Sequence, residues 1–148
     1  MIAIGADHGG YKLKEEIKKY LEEKNIEYKD FGCDSEERTD YPIFGKAVAE
    51  AVQSKECEKG ILICGTGFGM SIVANKFKGI RCASCWNEEV AKFLKAHNDA
   101  NIIALPGKYM NVSQAVAILR IWLGTEFLGG RHSERLQMIN DIENENMK

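Results

Sequence analysis

Gly60-Ile-Leu-Ile-Cys-Gly-Thr-Gly-Phe-Gly-Met-Ser-Ile-Val-Ala-Asn-Lys76 is the stretch that decides the fold. Ile61, Leu62 and Ile63 form a short apolar run, the pattern of a strand buried on both faces of a parallel sheet. Gly65, Gly67 and Gly69 follow at alternate positions, and helix-like sequence begins at Met70. Strand, glycine loop and helix together turn backbone N–H groups toward an anion, and a helix N-terminus adds about half a positive charge there. Cys64 stands where the strand meets the loop, so a thiol faces a cradle suited to negative charge. That pairing points to chemistry as well as binding.

Outward from this centre the chain alternates strands and helices. Toward the N-terminus, Pro42 suits the first turn of a helix running to about Ser54, preceded by a polar loop from Gly32 to Tyr41. Ile26 to Phe31 alternates as a strand. Leu13, Ile17, Tyr20 and Leu21 repeat at helical spacing within Tyr11–Lys24. Ile2 to Ile4 reads as the first strand, with Asp7-His8-Gly9-Gly10 as its exit loop. Toward the C-terminus the pattern predicts a strand over Ile80–Cys85, a helix over Glu88–Ala96 and a strand over Asn101–Leu105. Helices over Val112–Leu123 and from Ser133 to about Glu143 complete the chain. Such alternation predicts an α/β fold: a three-layer α/β/α sandwich with a five-stranded parallel sheet, Rossmann-like, as a single domain over residues 1–148. Ligand sites in these sheets lie beyond the carboxyl ends of the strands. Asp7, His8, the Cys64–Gly69 loop and the residues after the fourth strand belong to that edge. The helix from Ala115 to Leu123 is apolar nearly all round, which fits either deep burial or a subunit interface.

Composition narrows the classes. The 148 residues are 45% hydrophobic and 28% charged, with a formal net charge of −2. No basic block points to nucleic acid or a membrane surface. The N-terminal residues lack the basic lead and long apolar run of a signal peptide. Arg120 interrupts the longest apolar segment, which is far shorter than the ~20 residues that span a bilayer. Five cysteines, an odd number without a secreted disulfide framework, indicate a reducing cytoplasm.

The residue types that carry chemistry each admit a plain reading as well. The glycine loop is not a Walker loop, because no Gly-Lys-Ser/Thr closes it, and it misses the dinucleotide fingerprint by one position. It serves either as a tight strand-to-helix turn or as an anion cradle. Cys64 is either inert packing or a partly ionised, accessible base. A free thiol titrates near about 8.5, and a helix terminus contributes under one unit toward ionisation. Cys82 and Cys85 have redox or zinc spacing, but an offset of three on a strand sends side chains to opposite faces. Asp7 and His8 fit an N-cap beside a solvated histidine, or a ligand site. His97-Asn98-Asp99 before the fifth strand fits loop polarity or a site. Arg131 and Arg135 share a helix face directly after Gly129-Gly130, where two cations oppose the helix dipole unless an anion is bound. They are either a solvated pair or a phosphate fork.

In these motifs the sequence resembles the B-type ribose-5-phosphate isomerases, the family that includes galactose-6-phosphate isomerase subunits. The resemblance covers essentially the whole chain. It rests on Ile4-Gly-Ala-Asp-His-Gly-Gly10, Asp40-Tyr-Pro42, Cys64-Gly-Thr-Gly-Phe-Gly-Met70, His97-Asn-Asp-Ala-Asn101 and Gly129-Gly-Arg-His132 with Arg135, in order. It implies metal-free and cofactor-free interconversion of ribose 5-phosphate and ribulose 5-phosphate in the pentose phosphate pathway. By the same resemblance Cys64 is the base that moves a proton between C1 and C2, and Thr66 assists proton movement between the oxygens. The N–H groups from Gly65 through Gly67 and Phe68 to Gly69 stabilise the enediolate. His97 opens the furanose ring with Asn98 beside it. Asp7 and His8 bind sugar and phosphate, and Arg131 and Arg135 bind phosphate. The resemblance also implies a homodimer with the site at the subunit interface. Some family members replace the cysteine by glycine and carry a catalytic glutamate at the position of Met70; here the thiol variant is intact. Two departures stand out. Lys108 occupies a position where the family usually has a phosphate-site arginine, substituting a point charge for a fork. Phe68 replaces a smaller or polar residue and would narrow the pocket. The rival readings are an isomerase of a six-carbon sugar phosphate, allose or galactose 6-phosphate, and a non-enzymatic sugar-phosphate sensor.

Overall fold

The computed structural model describes residues 1–147. Its elements, in chain order, are β1 (Ile2–Ala6), a single 3-10 turn (His8–Gly10), α1 (Tyr11–Glu23), β2 (Tyr28–Asp30), α2 (Tyr41–Gln53) and β3 (Lys59–Cys64). There follow α3 (Phe68–Ala74), β4 (Cys82–Ser84), α4 (Glu88–Ala96), β5 (Ile102–Pro106), α5 (Val112–Gly124) and α6 (Arg131–Asn146). The strands form one parallel sheet in the order β2-β1-β3-β5-β4. This is the expected α/β/α arrangement.

β3 is central because its side chains suit burial on both faces. Ile61 and Ile63 join Ile103, Leu105, Ile17 and Trp122 in one core layer. Leu62 and Cys64 point the other way, into a layer with Val48, Val52, Met70 and Ile102. α1, α4 and α5 supply the first layer, and α2 and α3 the second. Cys82 and Cys85 fall in different layers, as the strand period requires.

The apolar helix α5 is accounted for within the chain. Ala115, Ile118, Leu119 and Trp122 are fully buried, and Val116, Ile121 and Leu123 pack against the same layer beside α1 and α4. Its excess of apolar residues therefore reflects burial against two neighbouring helices as well as the sheet. Exposed apolar side chains cluster elsewhere: Phe68, Ile72, Trp86, Tyr109, Leu128, Met138 and Ile142 are each more than half exposed.

Several boundaries differ from the sequence pattern. The edge strands β2 and β4 are three residues long, shorter than their apolar alternation suggests, because each pairs on one side only. β1 and β5 extend to Ala6 and Pro106. α3 starts at Phe68, two residues before the expected Met70, since Gly67 takes a left-handed N-cap conformation at φ 81°. α6 starts at Arg131, so both arginines lie in its first two turns. No helix among the described residues is long and apolar enough to cross a membrane.

Candidate active site

The chain leaves β1 to pair β2 on one side and returns as β3 on the other. A crevice therefore opens between the carboxyl ends of β1 and β3, the usual ligand position in such sheets. Asp7 and His8 follow β1, and the glycine loop follows β3. Bare backbone sets the spacing of these loops. A Cβ on Gly10 would lie 2.6 Å from the Ile63 carbonyl oxygen, and one on Gly107 would lie 3.3 Å from the Gly10 Cα. The 3-10 turn, the end of β3 and the segment after β5 thus pack against one another without intervening side chains. Gly107 N–H donates to the Cys64 carbonyl, and Lys108 N–H donates to the Gly65 carbonyl.

Asp7 is buried, and its Oδ1 accepts from Gly10 N–H at 3.1 Å, so it caps the 3-10 turn and keeps its second oxygen for other partners. His8 is half-buried rather than solvated. Its N–H donates to Thr39 Oγ1 at 3.0 Å, and its Nδ1 lies 3.1 Å from the Thr39 N–H. Thr39, on the loop before α2, was not singled out by the sequence; a backbone partner on an irregular loop leaves no periodic signal.

Cys64 is 5% exposed, so of the two readings the sequence allowed, packed thiol or accessible base, its burial matches the first. It is the last residue of a strand buried on both faces, and it packs in the layer with Val48, Met70 and Ile102. Thr66 Oγ1 accepts from Phe68 N–H at 3.2 Å, which tightens the loop, while Thr66 itself is exposed. Gly69 and Met70 head a helix, so their N–H groups have no intrahelical carbonyl. The loop can therefore stabilise an oxyanion next to a sulfur. The other thiols are unsuited to act as bases. Burial pushes Cys82 up to about 12, against an opposing Ser71 hydrogen bond and with nearby Cys64 adding to the rise. Burial likewise raises Cys57 and Cys85. Met70 is fully buried. Asn75 spends both side-chain ends on the Cys82 backbone, at 2.7 and 2.9 Å. Thr66, Phe68, Ser84, Trp86, Pro106 and Tyr109 line an apolar cleft of about 430 Å³ beside the loop. Lys108 is exposed next to it.

The remaining candidates form a second cluster. His97 caps the C-terminus of α4, which runs antiparallel to the strands and ends near the start of β5. The Asn98 carbonyl accepts from Arg81 Nε at 3.1 Å, just before β4 begins. Leu128 N–H donates to the Ala96 carbonyl, bringing the start of α6 alongside. The His97 and His132 rings stack there, with Arg131 and Arg135 exposed on either side of His132 in sequence. His97, Asn98, Arg131 and Arg135 therefore gather at the amino edge of the sheet. Asp7, His8, Cys64, Thr66 and Lys108 gather at the carboxyl edge. No hydrogen bond or ion pair among the described residues joins the two clusters within one chain, although Ser84, Cys85 and Trp86 border both the cleft beside the loop and a smaller cavity that reaches Asn98. His132, which in the sequence is only the last residue of the Gly129–His132 motif, is buried in the second cluster against His97. No group of three His, Cys, Asp or Glu side chains with metal-ligand proximity occurs among the described residues.

Comparison with known proteins adds a family. A model described as ribose/galactose isomerase matches residues 2–139. The structure of a ribose-5-phosphate isomerase B from Clostridium thermocellum superposes with a TM-score of 0.96 at 51% identity, covering 97% of each chain. A ribose-5-phosphate isomerase B from Escherichia coli is 46% identical over 142 residues, covering 96% of this chain and 95% of that protein. A D-erythrulose-4-phosphate isomerase from Pectobacterium atrosepticum is 37% identical, covering 97% of this chain and 95% of that protein.

Proposed function

The chain belongs to the ribose/galactose isomerase family and is a sugar-phosphate isomerase, and on that premise we propose that it interconverts ribose 5-phosphate and ribulose 5-phosphate at a site shared by two copies. The observation that carries this reading is the division of the candidate residues between opposite edges of one sheet. A two-fold dimer brings the amino-edge cluster of one copy to the carboxyl-edge cluster of the other. The exposed Phe68, Ile72, Trp86 and Tyr109 around the glycine loop supply apolar surface for that contact.

In this reading Asp7 and His8 of one copy receive the sugar, and Arg131 and Arg135 of the other hold the phosphate through forked, charge-assisted hydrogen bonds. Lys108 adds a point charge at the edge of the loop. His97 donates or accepts the proton that opens the furanose ring, and Asn98 orients the freed oxygen. The Cys64 thiolate then takes the proton from C2 of the aldehyde form and returns it to C1. Thr66 passes a proton between O1 and O2, while the N–H groups from Gly65 to Gly69 carry the enediolate charge. The burial of Cys64 shields its sulfur from water and leaves it to meet only what the loop admits. The reaction needs no cofactor, and the five free thiols suit a reducing cytoplasm.

The test is to incubate the purified protein with ribose 5-phosphate and measure ketose formation, with erythrose 4-phosphate and allose 6-phosphate as comparison substrates. We expect the largest kcat/KM for the five-carbon sugar. A larger value for either other length would reassign the substrate, and no turnover of any would sink the isomerase mechanism.

A further inference from the structure

His132 is 7% exposed, although Arg131 before it and Arg135 after it are exposed. Its imidazole lies on that of His97 with ring centroids 4.2 Å apart and planes inclined by 11°. The Phe93 ring meets the same His97 ring at 4.8 Å and 33°. A histidine at a helix C-terminus ordinarily exchanges rotamers in water. Here His97 is gripped by one ring from its own helix and one from α6.

We propose that His132 is a positioning residue: its stacked imidazole fixes the orientation of the His97 ring and ties that orientation to phosphate capture by Arg131 and Arg135. Geometry supplies the link. The three residues occupy the first two turns of one helix, so any adjustment of that helix to a phosphate moves the face on which His97 rests. Electrostatics ties His132 to the arginines as well. Burial holds His132 below its ordinary value, and His97 from α4 with Arg131 and Arg135 from its own helix push it the same way. A bound phosphate dianion offsets those arginines and relieves their push on His132.

The proposal rests on the ring-opening role of His97, so the experiment separates the two. His97→Asn, His132→Ala and His132→Phe are each assayed on furanose ribose 5-phosphate. Solvent-deuterium exchange into ribulose 5-phosphate, which is open-chain, is measured in parallel. His132→Ala is expected to lower kcat on the furanose at least about tenfold while exchange changes less than about twofold. His132→Phe, which keeps a ring in the stack, should recover most of that loss. Equal losses in Ala and Phe variants, equal losses in both reactions, or no loss would overturn the positioning role. An unimpaired His97→Asn enzyme would remove the ring-opening role and this proposal together. A second measurement needs no turnover: inorganic phosphate should shift the His97 ring resonance in the wild type and not in His132→Ala. The same shift in both would break the proposed link.

Discussion

The Nδ1 atom of His8 lies 3.1 Å from the backbone N–H of Thr39 and 3.2 Å from its carbonyl oxygen, and the His8 N–H donates to Thr39 Oγ1 at 3.0 Å. One loop residue thus offers both a donor and an acceptor to the same ring nitrogen and leaves Nε2 unengaged by it. Thr39→Val removes the Oγ1 acceptor but keeps the shape. A hydrogen bond of this kind contributes roughly 0.5–1.5 kcal/mol, so KM for sugar phosphate should rise up to about tenfold with kcat nearly constant. Steady-state kinetics checks this, and an unchanged KM would make the latch ornamental.

The base is the next position to test. Cys64→Ala keeps a small apolar side chain in a buried layer, so circular dichroism should show an intact fold. Turnover and solvent-deuterium exchange should both fall by roughly 10²–10⁴, the usual effect of removing a general base. Near wild-type exchange in a folded variant would assign Cys64 to packing. Because the sulfur is buried, iodoacetamide should modify it slowly, and saturating sugar phosphate should slow it further.

Arg135 is exposed on α6 close to an end that repels cations. Arg135→Ala should weaken sugar-phosphate binding on the order of tenfold or more, since each charge-assisted hydrogen bond contributes roughly 1.5–3 kcal/mol. The melting temperature should hold or rise slightly. Isothermal titration together with a thermal melt reads both, and unaltered affinity would mean the side chain is merely solvated.

The shared site has a stoichiometric signature. Cys64→Ala and His97→Asn, each nearly inactive alone, should recover activity when unfolded together and refolded as a mixture. Random pairing yields one intact site in each mixed dimer, so about a quarter of wild-type activity is expected. A mixture no more active than its parents would place Cys64 and His97 in the same subunit's site and contradict the division between sheet edges.

Stability has its own test, in residues that the proposed chemistry does not use. Lys14 is fully buried, with Nζ 2.6 Å from Asp30 Oδ2, and Lys18 joins the same carboxylate at 2.9 Å. Burial pushes the Asp30 carboxyl up, but the hydrogen bonds from Lys14, Lys18 and the Gly32 N–H outweigh it and leave the group below its usual range. Asp30→Asn leaves Lys14 poorly compensated and should cost at least about 2 kcal/mol, under the 3–5 of a fully buried pair because Asp30 keeps 27% side-chain exposure. A depressed carboxyl contributes stability above its unfolded pKa of about 3.9 and loses it as pH falls through the lower folded value. Denaturant melts should therefore show the gap between variant and wild type closing in acid. A gap that is constant with pH would sink the ionic account.

Much of this was legible in the residues. The apolar run of Ile61–Ile63 and the glycines after it determine a buried central strand and its loop, and the alternation around them determines the layers. The site residues were legible as motifs, yet their division was less so. It follows from chain direction, since His97 precedes a strand whereas Asp7 and Cys64 follow or end one. Thr39 and His132 left weaker traces. Thr39 acts largely through its backbone, and the burial of His132 depends on where α6 docks, which no local pattern records. The inaccessibility of Cys64 likewise depends on a whole layer closing over one face of β3.

The bare-backbone contact among Gly10, Ile63 and Gly107 bears on how such an enzyme can change its preference. A side chain at Gly10 or Gly107 would collide with Ile63, so the frame around the thiol resists remodelling one loop at a time. Variation in substrate length must come instead from the rim. Phe68, Trp86 and Tyr109 stand in the open there, and their size can change without disturbing the strand ends. Selection for a longer or shorter sugar would leave its record in those aromatic positions and leave the glycines untouched.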